Sequence, residues 1–538
     1  MTCKRSKTSY ILSDGLGPYF KDKLENEIRN NAPAYTIEID ETTTAKHWRQ
    51  LDILVRFYSE THNCVIVCHL ASITLGRAKA SLIFEKIEEA VTPLYARKLL
   101  QISSDGPNVM KALHKKAKED LNPNLVDIGT CNIHKIHNAF CNAYDVFGDN
   151  VERLGIEVYY LFKSACRRED FEIIQTRLKV EKHVFLRHCE SRWLTLEDVV
   201  NRLVEQFFAL KAYFQSEFIS QREIATNDRI LRICNLLENK VLLVEMFFLQ
   251  SVMPLFTNIT KLLQTESTLI HILYDEISNL VLGLLRRFVK SDTIGDKKGA
   301  ELFSIDLDTE NLLDRPDIGH KTLQNLSQLR SSGKISELAE LQFFKRAKNF
   351  FKQAVCQLLK TLPLKYKLLR DLQVLHPISR ESHSSVKAIK RVAASIALFP
   401  KEKIDNVVDE WRQFRSETLP TECNVELPDD ECDEEPIGVK SRRLTDFWSR
   451  VFEMLQLNGS PKYSFLTSLM KICLTLSHGN ADVERSFSEN KLILDEKRTR
   501  MTDETLNGYR ATSSYMKQFD NDPSKLPITG PLLNAARK

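Results

Sequence analysis

The chain has 538 residues, 43% hydrophobic and 28% charged, the balance of an ordinary soluble globular protein and too long for one simple core, so two or three domains are expected. Lysine and arginine total 76 against 72 aspartates and glutamates, a formal charge of +4, which excludes a uniformly basic surface and leaves any nucleic-acid footprint local. The 12 cysteines show no framework spacing and favour free thiols in a reducing compartment.

Glycine and proline are scarce, 17 each, so the composition leans helical. The opening stretch MTCKRSKTSYILSDG lacks an apolar core of signal-peptide type. The most apolar later stretch, 241–256, is interrupted by Glu245 and Gln250 and holds no apolar run of membrane-spanning length. An intracellular protein without membrane partners is expected.

In chain order, YTIEID (35–40) predicts a short strand ending in Asp40, followed by β-branched runs at 51–59 and 63–73. ASLIFEKIEEAV (80–91) has helical spacing. LLQISSD (99–105) predicts a strand ending in Asp105, with a helix over 106–120 after it, and LVDIGTCNIH (125–134) predicts a further strand. Strands alternating with helices imply a mixed sheet with crossover connections. From about 145 to 415 the pattern is amphipathic helix throughout. Residues 416–440 form an acidic, proline-containing run expected as a solvated loop, after which helical pattern resumes. The stretch HGNADVERSFSENKLILDEKRTRM, His478 to Met501, reads as one amphipathic helix with Val483, Phe487 and Leu494 near one face. Glu484 and Arg485 sit at the edge of that face, ahead of the basic run Lys497, Arg498 and Arg500.

Two acids at strand ends are the first chemical signal, because side chains converge on ligands there in sheets with crossover helices. Were their strands neighbours, Asp40 and Asp105 would share a divalent cation, with hard oxygen ligands suiting magnesium or manganese. Taken singly, Asp105 before Gly106 is also ordinary turn chemistry and Asp40 an ordinary helix cap. Cys131 and His134 form a C-x-x-H pair with His137 one turn on, too few local ligands for a complete zinc site.

The ordered set YTIEIDETTT, LDILVRF, ISSDGPNVMKAL, TCNIHKIHN, ESRWLTL and DFWSRVF with NADVERSFSENKLILDEKRTRM resembles the hAT superfamily of DNA transposases, over about residues 15 to 515. The resemblance implies an α/β plus all-α fold: a ribonuclease H-like mixed sheet interrupted by a large all-helical insertion. Residues 1–30 would be a helical lead-in and 31–145 the first part of the sheet domain. Residues 146–440 would be the insertion, and 441–538 the returning part with the hAT dimerisation region. It also implies that Asp40, Asp105 and Glu484 are the catalytic and metal-binding acids, holding two Mg2+ or Mn2+ ions about 3.5–4 Å apart for in-line phosphoryl displacement. Cys131, His134, Arg192, Trp193 and Arg485 would contact DNA or brace the site, Trp193 by stacking on an unpaired base. Nuclear location, DNA as substrate and a homodimer or higher oligomer follow from the same resemblance. Relatives commonly carry a BED-type zinc finger ahead of the catalytic domain. The roughly 34 residues before the first predicted strand hold Cys3 and no histidine, so no finger is expected there. Two functional classes stand: a metal-dependent DNA nuclease and strand transferase, or a domesticated relative that binds DNA or protein as a dimer without cutting.

Overall fold

A computed structural model describes residues 5–44, 47–76, 79–106, 108–189, 195–419, 437–494 and 501–538. The chain is mixed α/β, 65% helical with one small four-stranded mixed sheet. It divides into two compact units: Met1–His134, Leu263–Tyr274 and Pro363–Lys538 form one, Lys135–Leu262 and Asp275–Leu362 the other.

In the first unit, strands β1 (Tyr35–Thr43), β2 (Arg49–Ser59), β3 (Cys64–Leu75) and β4 (Leu99–Ser103) lie in the order β3-β2-β1-β4. The two hairpin-linked pairs are antiparallel. β4 returns parallel to β1 after the helix Ala80–Val91, the crossover that a parallel neighbour requires. Period-two alternation gives the sheet two unlike faces. Ile37, Ile39, Ile53, Val55 and Phe57 point to an apolar core, where they meet Ile83, Phe84 and Ile87 of the crossover helix and Leu113 of the helix Asn108–Asp120. Thr36, Glu38, Asp40, Asp52, Arg56, Gln101 and Ser103 occupy the other face and are buried as well. A polar face is buried only where a cover supplies hydrogen bonds.

That cover comes from late in the chain, from the helices Ala481–Ile493 and Asp503–Lys517. The second also closes the open edge of β3. Asp503 accepts from the Thr74 N–H (2.8 Å), Asn507 brackets the Ser72 N–H and carbonyl (2.7 and 2.9 Å), and Ser514 accepts from the His69 N–H (3.1 Å). Side chains thus stand in for a missing strand.

Several sequence expectations are corrected, beginning with β1, which runs on to Thr43 so that Asp40 lies inside it instead of at its end. Residues 125–131 form no strand, although Val126 and Cys131 donate across to the Leu100 and Ser104 carbonyls (2.8 and 3.0 Å). Asp127 turns the chain by accepting from the Gly129 N–H at 3.0 Å, Gly129 takes φ 93°, and a helix begins at Asn132. The late helix runs only from Ala481 to Ile493, because 477–480 is drawn onto the sheet, and Leu494 falls outside it. The basic run Lys497, Arg498 and Arg500, with most of the acidic run (420–436), lies outside the described residues.

The second unit is helical, around stacked and edge-on contacts among Phe147, Phe248, Phe343 and Phe350. Glu245, which interrupts the apolar stretch in sequence, is 2% exposed there and paired with Arg346 at 2.6 Å. Among the described residues one helix, Leu242–Leu263, is long and apolar enough to cross a membrane, and 67% of its apolar window is buried inside the protein. In the first unit Phe447, Trp448, Tyr463, Leu466 and Leu469 are buried within the chain itself, with the Trp448 indole donating to the Leu375 carbonyl at 2.9 Å.

Candidate active site

The pairing of β1 with β4 places the first two acids. Glu38 is opposite Ser103 in the parallel register. Two residues further along each chain stand Asp40 and Asp105, so both follow neighbouring rows about 4.8 Å apart. β4 ends at Ser103, two residues short of the expectation, and Asp105 lies on the turn beyond it. The Glu41 N–H donates to Asp40 Oδ1 at 2.8 Å and fixes that carboxylate.

The approach to the late helix brings the third acid. Gln101 brackets Ser477, accepting from its N–H (2.8 Å) and donating to its carbonyl (3.2 Å). Ser103 Oγ donates to the Gly479 carbonyl (3.1 Å), and Asn480 Nδ2 donates to the Ile39 carbonyl (2.8 Å). The helix then lies on the polar face. Val483 and Phe487 pack on Leu54, while Ser486 and Asn490 donate to Asp52 at 2.6 and 2.8 Å. Those positions are spaced three and four apart and mark the buried stripe. Glu484, one residue from Val483, is turned about 100° off that stripe, on the first helical turn. Its place at the edge of a buried face follows from this geometry.

Electrostatics tie the three acids together. Burial is the main cause in each case. It pushes Asp40 up to about 7, with the Asp105 charge adding, the Glu41 N–H and His134 opposing, and Glu484 adding again. Glu484 is likewise pushed up to about 7, opposed by His134 and Arg485 and raised further by Asp105. Asp105 is raised and opposed by His134. The His134 imidazole therefore sits close enough to act on all three. It stands on the first turn of the helix that starts at Asn132, after the Cys131 N–H has bonded to the Ser104 carbonyl. The buried Cys131 thiol is pushed up to about 11, by burial first and, after the opposing His134 N–H, by the Glu484 charge.

Among the described residues no three His, Cys, Asp or Glu side chains close on a common point as they stand. The donor chemistry nonetheless fits a hard divalent cation. Asp105 Oδ1 and Glu484 Oε1 are buried without a hydrogen-bond partner, and carboxylates crowded into low dielectric need a cation or a proton between them. Rotation of these side chains is what would bring them to one ion.

Of the other expected residues, Arg192 and Trp193 lie outside the described residues. Arg485 is occupied inside the unit: it donates to the Gln264 carbonyl, pairs with Asp482, and lies 3.3 Å from Glu266. Several participants escaped the sequence reading. Glu38 is fully buried, its carboxyl pushed up to about 8 by burial and then by Asp482, against Arg56. Gln101, Asn480 and Asp52 hold the late helix in place. The one signal for them was the polar alternation Thr36, Glu38, Asp40 along β1. No protein-family model matches the chain, and no curated protein matches it.

Proposed function

We propose that this chain is a divalent-metal-dependent DNA-cleaving and strand-joining enzyme of the hAT transposase type, with a ribonuclease H-like catalytic unit, working in the nucleus as a dimer or higher oligomer. The observation that carries the reading is the approach of Asp105 and Glu484, from distant parts of the sequence, to Asp40 at one end of a parallel strand pair, each of the two keeping a buried carboxylate oxygen without a hydrogen-bond partner. A first acid on the central strand and a second just past its parallel neighbour support the ribonuclease H-like assignment. Magnesium or manganese bound by these acids would supply an ionised water or DNA 3′-hydroxyl near neutral pH and charge compensation for the departing oxygen. The chain's own residues do the rest. The Glu41 N–H holds Asp40 in one orientation, and the bonds of 477–480 to the sheet keep Glu484 beside it. His134 offers an imidazole among the acids, a hydrogen-bonding group for water or a substrate phosphate.

The test is nicking of branched DNA with manganese. The expected result is cleavage by the native chain and a loss of more than about 100-fold in Asp105→Ala and Glu484→Ala, beyond what removal of an outer-shell partner costs. Both variants must retain the native melting curve. Binding of branched DNA without cutting by the native chain would replace this reading with the non-catalytic one.

A further inference from the structure

Residues 263–274 are an excursion of the chain. In sequence they lie between the two helical stretches 135–262 and 275–362, yet they pack with the sheet unit. Between the helix that ends at Leu263 and the one that begins at Leu273 the backbone is irregular, and Thr268, Leu269, Ile270 and His271 are buried. Irregular backbone at that depth must find its hydrogen bonds inside the protein.

It finds them around the acid-bearing helix. His478 Nε2 donates to the Leu263 carbonyl at 3.2 Å, and Arg56 Nη2 donates to Thr268 Oγ1 at 2.6 Å. Arg485 grips hardest. Nη1 donates to the Gln264 carbonyl, Nη2 pairs with Asp482 in the same helical turn, and Nε lies 3.3 Å from Glu266. All three guanidinium nitrogens are engaged, so this arginine is not held out for a phosphate. A planar fork of donors spans a carbonyl and two carboxylates at once, which a lysine ammonium on a flexible stem does not. Glu266 is 79% exposed, so its pair is the weakest of the three links.

We propose that Arg485 is a positioning residue: its guanidinium clasps segment 263–274 to the first turn of the helix Ala481–Ile493 and so fixes Glu484, its neighbour in sequence, beside Asp40 and Asp105. The functional part of this inference rests on Glu484 being a catalytic carboxylate. The clasp itself is independent of that assignment.

Hydrogen exchange on the full chain tests the clasp, and steady-state nicking of branched DNA with manganese tests its consequence. Arg485→Ala is expected to speed amide exchange at least about tenfold in both 263–274 and 481–486, against little change elsewhere. It should lower kcat about tenfold or more while KM and DNA affinity stay within about twofold. Arg485→Lys should fall between, and Glu266→Ala should alter exchange less than about threefold, as an exposed pair does. If Arg485→Ala unfolds, the lysine variant decides on the same readouts. Unchanged exchange in both segments overturns the clasp. An unchanged kcat with weaker DNA binding and a shallower salt dependence overturns it in favour of a phosphate contact. A native chain that never nicks DNA sinks the proposed function alone, and exchange then decides the clasp.

Discussion

Asp40 and Glu484 each hold a proton up to about pH 7, well above the range of a free carboxylate, because both are buried near other acids. Their folded pKa exceeds the unfolded value, so the stability they contribute is complete below about pH 4 and is lost as pH rises through 7. His69, His271 and His478 act oppositely: burial lowers each to about 3, so the unfolded chain takes up protons that the folded chain refuses between about pH 6.5 and 3. Above pH 6.5 only the acids remain in play. Without divalent ions the melting temperature is therefore expected to fall from pH 6.5 to 8. Manganese should reverse the fall, with a gain that grows with pH because binding releases protons. Thermal melts with and without manganese at three pH values check this. Glu484→Gln should weaken both trends, with Asp40 and Glu38 keeping part of the metal-free fall, and an equal manganese effect at every pH would count against the acid cluster as its site. At this scale the sequence singled out Asp40 and Asp105, although Asp40 lies inside β1 and Asp105 past the end of β4, and was nearly silent about Glu38 and Asp52. Asp105 before Gly106 read equally well as turn chemistry, and the resemblance, not its position, singled it out. Glu38 and Asp52 look like ordinary strand residues until the late helix is laid over them.

The helix Ala481–Ile493 depends on that buried carboxylate of Asp52. It accepts from Ser72, Ser486 and Asn490 at 2.6, 2.6 and 2.8 Å and is fully buried. Asp52→Ala would remove an acceptor from three donors and one of the charges near the Arg510 guanidinium, which keeps its pair with Glu489. A loss of about 3 kcal/mol is expected, read from the urea midpoint, with nicking reduced in step. The substitution Asp52→Asn keeps the shape and should cost less. Element identity was largely legible: strand β1, the crossover helix and the long helical stretches follow from period two and period 3.6. Boundaries were not. The late helix starts at Ala481 because Gln101, Ser103 and the Ile39 carbonyl, all remote in sequence, capture residues 477–480. Residues 125–131 have the apolar content of a strand, but the Asp127 and Gly129 turn defeats the pairing. Tertiary hydrogen bonds decided both cases, and no local pattern encodes them.

At the scale of the molecule, the sheet unit is assembled from three separate stretches of chain, and most partners of its polar face come from the last of them, with Thr268 of the middle stretch taking Arg56. A chain ended at residue 475 should therefore be insoluble or molten, since Gln101, Ser103 and the edge of β3 would lose the partners that the late residues supply, and Asp52 two of its three. Solubility of that truncation, with near-ultraviolet dichroism of any soluble fraction, checks the point; a native-like spectrum would refute it. The same arrangement bears on biosynthesis. On the proposed function, a ribosome delivers Asp40 and Asp105 hundreds of residues before Glu484, so a nascent polypeptide would carry two of the three acids and no complete site. A nuclease of the proposed kind would stay harmless to nearby nucleic acid until residues 477–490 have emerged and folded back onto the sheet.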